Sequence, residues 1–102
     1  TVAVVKIPEN IQFGFDKPIQ DLCFDASIEN FNFKELPAGT VIGKTHNQIE
    51  NPLDIRDEQG NDISHQYFII NNGDILTRTN LIPAMITLDT DVIKKDCFCY
   101  LM

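Results

Sequence analysis

The run Ala38-Gly39-Thr40-Val41-Ile42-Gly43-Lys44-Thr45 satisfies a relaxed phosphate-loop pattern, in which backbone amides cradle phosphates and the lysine reaches the terminal one. That chemistry requires a strand before the loop and a helix after it. Here Pro37 precedes the loop, Val41 and Ile42 have strand character, and Pro52 cuts short any helix after Thr45. A nucleotide-binding α/β domain also needs more chain than 102 residues, so the match is a coincidence and no nucleotide is expected. His46 and His65 stand alone, with no nucleophile–base signature of the G-x-S-x-G, H-E-x-x-H or cysteine–histidine kind. Lacking an activated nucleophile and a matched acid and base, the chain is read as a non-enzyme.

Three cysteines, Cys23, Cys97 and Cys99, are the candidates for covalent chemistry. Cys97 and Cys99 share one face of an expected strand at about 7 Å spacing, too far apart to bond each other. Pairing of Cys23 with either one would close a long loop, a constraint worth about 4 kcal/mol in the chain-entropy picture. One thiol is left over in any case. The alternative is three reduced, buried thiols of a reducing compartment. A C-x-C pair without a nearby histidine lacks zinc spacing.

Carboxylates offer a second chemistry. The run Asp54-Ile55-Arg56-Asp57-Glu58-Gln59-Gly60-Asn61-Asp62 gathers acids around a glycine, but the alternating oxygens and twelfth-position glutamate of an EF-hand are missing. Taken alone it is a polar turn. Asp89 and Asp91 fall on the solvated face of an expected strand. The formal net charge is −7, from 15 acidic and 8 basic residues, which excludes nucleic acid because phosphate affinity needs the opposite field.

The elements that must position these groups read as strands. Alternating apolar residues of β-branched and aromatic type mark residues 2–7, 11–15, 22–24, 40–43 and 53–55. Residues 67–70 and 75–79 flank Asn72-Gly73, a strong hairpin signal. Residues 84–92 alternate as a late strand, and Lys94-Lys95-Asp96 turns the chain into the cysteine strand. Residues 28–36 place Phe31 and Phe33 on one face of a strand, with a short helix over 25–30, capped by Asp25 or Ser27, as the competing assignment. The expected fold is all-β, a Greek-key immunoglobulin-like or cadherin-like β-sandwich of about seven strands in one domain over residues 1–102. With no tryptophan and seven phenylalanines, the core is phenylalanine, isoleucine, valine and leucine. Phe13, Phe15 and Met85 are candidates for an exposed apolar patch, core packing being the better account of the two phenylalanines. No signal peptide, membrane-spanning run or lipidation motif is present. The chain opens on Thr1 and stops in a strand-like run, so neighbouring domains of a longer chain are expected.

Three pieces, in order, resemble a cadherin extracellular repeat. Glu35-Leu36-Pro37-Ala38-Gly39-Thr40-Val41-Ile42 resembles the family's E-N-x-P-x-G-T-x-V, one residue short. Ile55-Arg56-Asp57-Glu58-Gln59-Gly60-Asn61 is similar to A-x-D-x-D-x-G-x-N. Tyr67-Phe68-Ile69-Ile70-Asn71-Asn72-Gly73-Asp74-Ile75-Leu76-Thr77, then Leu81, resembles F-x-I-x-x-x-T-G-x-I-x-T-x-x-x-L. The resemblance implies a seven-stranded sandwich and a cell-adhesion or recognition role. It also implies protein partners, homophilic or heterophilic, and an extracellular or cell-surface location on a membrane-anchored parent. It implies calcium as the one cofactor, with Glu35 matching the first-strand glutamate, Asp57 an aspartate of the second motif, and Glu58 beside it. The family's L-D-R-E is Leu81-Ile82-Pro83-Ala84 here, no D-x-N-D-N linker follows, and the chain before Glu35 exceeds one first strand. Calcium takes six to eight oxygens, so its binding is expected to be reduced or absent. The alternative function is a structural or accessory β-domain of a larger assembly or enzyme, not itself catalytic.

Overall fold

The computed structural model describes residues 3–16, 21–46 and 52–102. Val2, expected to open the first strand, lies outside them. Among the described residues, nine short strands form two sheets. They are β1 (Ala3–Lys6), β2 (Phe13–Phe15), β3 (Leu22–Phe24), β4 (Val41–Thr45), β5 (Asp54–Ile55), β6 (Phe68–Asn71), β7 (Asp74–Thr77), β8 (Pro83–Ala84) and β9 (Cys99–Leu101). One sheet runs β5-β1-β9-β8 and the other β2-β3-β4-β7-β6. All pairings are antiparallel except β2 with β3, which run parallel. The molecule is therefore mostly β and sandwich-like, with nine strands described where the spacing suggested about seven.

Alternation decides which side chains enter the core. Leu22 and Phe24 of β3, Ile75 and Thr77 of β7, and Cys99 and Leu101 of β9 point inward, with Cys23, Leu76 and Tyr100 opposite. Val5, Leu53, Ile55 and Phe98 complete the most deeply buried set. Phe24 of one sheet stacks on Phe98 of the other, with ring centroids 4.7 Å apart and planes at 19°. Thr77, 1% exposed, is the one polar side chain at this depth among the described residues. Its hydroxyl donates to the Pro37 carbonyl and accepts from the Thr40 N–H, so it is satisfied both as donor and as acceptor.

Strand β4 departs from strict alternation. Its register against β7 shifts between Val41 and Gly43, and the bulge lets both Ile42 and Gly43 face inward. A Cβ at Gly43 would sit 2.8 Å from Phe24 Cδ1 and 3.0 Å from the Cys23 carbonyl oxygen. Only glycine lets the Phe24 ring lie flat over this strand.

Two expected strands are corrected. Residues 26–31 form a 3-10 helix (Ala26–Phe31), because Asp25 caps it by accepting the Ser27 N–H. That backbone bond holds the Asp25 carboxyl below its ordinary range. Phe31 is half-buried and Phe33 exposed, so the two do not share a face. The late strand ends at Ala84, since Met85 adopts φ 61°, and residues 90–95 form α1 (Thr90–Lys95). Asp89 is its N-cap, accepting from the N–H groups of Asp91 and Val92, rather than an outward strand residue. Lys94 and Lys95 belong to its last turn, where cations suit the carbonyl end. A second 3-10 turn covers Ser64–Gln66.

Because the Cβ contact at Gly43 falls on ring and backbone together, Gly43→Ala should cost about 1–3 kcal/mol. Urea unfolding would show this as a lower midpoint with an unchanged slope. A midpoint within error of wild type would mean that the ring and β3 can shift freely.

Candidate recognition surface

The carboxylates carried over from the cadherin resemblance fall at opposite borders of the four-stranded sheet. Glu35 is exposed on the segment that flanks β8, where Leu36 bridges Leu81 and the Phe33 N–H donates to the Pro83 carbonyl. Asp57 and Glu58 follow β5 at the other border, with β1, β9 and β8 between. At normal strand spacing that is roughly 15–20 Å. Asp57 is occupied within its own loop. Its Oδ1 accepts the N–H groups of Gln59 and Asn61, both at 2.9 Å, and its Oδ2 accepts Asn61 Nδ2. The Asn61 backbone bond, above all, holds its carboxyl below the usual carboxylate range. Glu35, Asp57 and Glu58 are thus not gathered into one site. Among the described residues no group of three His, Cys, Asp or Glu side chains is placed to hold a metal.

The three cysteines carry thiols in the structure. Cys23 points to the outer face of β3, whereas Cys99 points into the core and Cys97 is buried just before it. A whole sheet stands between Cys23 and the other two, which corrects the expected disulfide. Burial pushes the Cys99 thiol up to about 12, with the neighbouring Cys97 adding to the effect. Strand register also does what spacing could not show. It pairs Cys23 with Lys44 across β3 and β4, while the His46 N–H donates to the Asp21 carbonyl two residues along. Cys23, Lys44, His46 and Asp16 thereby line one groove of about 690 Å³ floored by Phe24 and Ile28. His65 is remote from it, on the Ser64–Gln66 turn.

The most exposed large apolar side chains occur together. Phe33 is 66% exposed and Met85 64%, and both hold positive φ, 63° and 61°. A left-handed conformation costs a residue with a Cβ about 1–2 kcal/mol, and bulky residues rarely adopt it. The local structure that enforces it is a clamp. Asn32 Nδ2 donates to the Ile86 carbonyl at 3.1 Å, and the Ile86 N–H donates to Asn32 Oδ1 at 2.7 Å. The clamp and the Phe33–Pro83 bond press residues 32–33 against residues 83–86, with Phe33 and Met85 on the two sides of the junction. Of the apolar candidates read from sequence, Met85 is exposed, while Phe13 and Phe15 are half-buried against the core.

A second open feature is the border formed by β6. Beside it lies a groove of about 510 Å³ between the strand and residues 52–53 and 62–65. Ile69 is exposed on its rim at 38%.

Because Glu35 and Asp57 are a sheet's width apart, melting curves in millimolar calcium and in chelator should coincide. A rise in melting temperature with calcium would restore Glu35, Asp57 and Glu58 as candidate ligands.

Comparison of the chain with protein-family models, with curated proteins and with solved structures finds no match in any of the three.

Proposed function

We propose that the chain is a non-catalytic recognition module of an adhesion-type protein at the cell surface, a divergent cadherin-like Greek-key sandwich with calcium binding reduced or absent. The observation that carries this reading is the Phe33–Met85 pair. Two bulky apolar residues are held in a costly backbone conformation and left in solvent, so their strain is not repaid by burial within the chain. A partner protein that covers them supplies the missing burial, worth about 1.5–3 kcal/mol for each side chain fully enclosed. The ordered motifs around Glu35, Asp57 and the Asn72-Gly73 hairpin support the same class from the sequence side.

One observation favours the second reading, an accessory β-domain of a larger assembly in a reducing compartment. Cys97 and Cys99 are buried thiols in a core that has no disulfide to protect. Counting thiols in the denatured, unreduced protein from its natural source separates the two. Three per chain, as the fold has it, favours the accessory domain; fewer would mean that Cys23, on the outer face of β3, is joined to another chain, which favours the cell-surface module.

The recognition surface is tested with the double variant Phe33→Gly/Met85→Gly. Glycine accepts positive φ, and the lost side chains are mostly solvated, so the variant should melt no lower than wild type and gain up to about 1 kcal/mol per site. Beads coated with wild type should cluster or bind cells at least ten-fold better than beads coated with the variant. Equal binding, or none by wild type, would sink the patch as the contact surface.

A further inference from the structure

Strand β6 is the last of the five-stranded sheet, and its outer edge has no strand on it among the described residues. The hairpin determines which backbone groups face that edge. Asn72 (φ 52°) and Gly73 (φ 84°) make a two-residue turn with both φ positive, so the closing pair Asn71–Asp74 exchanges hydrogen bonds. Alternation then makes Ile69–Leu76 and Tyr67–Arg78 bonded pairs. The last is seen directly, in the Arg78 N–H donating to the Tyr67 carbonyl at 2.7 Å. The N–H and C=O groups of Phe68 and Ile70 therefore point off the sheet. Their side chains turn toward the core, and Ile69 and Asn71 face out. From Tyr67 to Asn71 there is no charge and no proline, and β6 pairs with β7 without a bulge. Those are the devices by which soluble β-proteins block an open edge.

We propose that this edge is a self-association site, on which a second copy of the chain lays its own β6 antiparallel, centred on Ile69. In that register Phe68 of each copy exchanges both backbone hydrogen bonds with Ile70 of the other. Ile69 meets its twin on the outer face, and the two five-stranded sheets join into one. Charge does not oppose this register, the acid and base it aligns standing three strand spacings, about 14 Å, apart. Asp74 is the β7 partner of Asn71, and Arg78 is the β7 partner of Tyr67. Asn71 of one copy faces Tyr67 of the other, so each of two rows across the joined sheet runs Asp74, Asn71, Tyr67, Arg78, with an acid at one end and a base at the other. A slip of one residue would turn every core-facing side chain outward, which excludes the neighbouring registers. The pairing rests on the recognition reading and narrows it to a homophilic contact.

Sedimentation velocity on the purified chain, from micromolar to millimolar concentration, tests it. The expected result is a reversible dimer. Ile69→Lys, which sets two ammonium groups face to face at an exposed position, should abolish the dimer without lowering the melting temperature. A wild type that stays monomeric overturns the proposal, as does a dimer that survives Ile69→Lys. A monomeric wild type whose beads still bind cells through Phe33 and Met85 sinks the self-pairing and leaves the recognition reading standing. If that cell binding is lost with Ile69→Lys, the edge takes an extended segment of another protein and not a second copy.

Discussion

The two sheets are joined at one aromatic contact. Phe24 rises from β3 and Phe98 from the approach to β9, and their rings stack 4.7 Å apart, each 2% exposed. Phe15 tilts against Phe24 at 5.7 Å and 31°. Such pairs contribute about 0.5–1.5 kcal/mol beyond the burial of their area. In a chain without tryptophan this trio supplies much of the bulk that separates the sheets. The stack needs floor space, and Gly43 provides it. The bulge that brings Gly43 inward shifts the phase of β4, which turns Val41 and Lys44 to the outer face. Core geometry thus reaches the surface through one irregular residue, and the Cys23–Lys44 neighbourhood is its consequence.

What could be read from the sequence was local. The Asn72-Gly73 turn specifies its own backbone, so β6 and β7 fall close to where alternation put them. β3 was read with the bounds it has. Residues 84–92 misled because Ala84, Ile86, Leu88, Thr90 and Val92 alternate like a strand. The competing signals were present in Asp89 as a cap and in Lys94 and Lys95 as a C-terminal pair. Val92, a member of that alternating set, is 44% exposed while the next residue, Ile93, is 2% exposed, because a helix has a different period. The same contest occurs at Asp25, where a capping carboxylate outweighed the alternation of Phe31 and Phe33.

The surface was less legible, for a different reason. The acidic motifs are contiguous in sequence, but sheet order places Glu35 and Asp57 at opposite borders, and spacing carries no information on sheet order. Cysteine separation likewise says nothing about which face of which sheet a thiol occupies. Met85 could be singled out as apolar and out of place, yet Phe33 could not be joined to it. Their juxtaposition is made by Asn32 reaching a backbone 54 positions away, and no pattern announces positive φ in a phenylalanine.

The borders of the two sheets are not treated alike, and the contrast gives the surface its meaning. β8 is flanked by the segment carrying Phe33 and Leu36, so its border is covered and the cost appears as strain at the covering residues. β5 is two residues long and the chain returns against it, with the Ile63 N–H donating to the Ile55 carbonyl and Arg56 bridging Asp62. β6 is longer and uncharged, with no strand paired on its outer side among the described residues. With β2, the fourth border strand, only three residues long, β6 is the longest strand at any border among the described residues. The strained pair and β6 belong to different sheets. Contact at one therefore does not consume the backbone groups of the other, which is the arrangement a module needs to hold more than one neighbour.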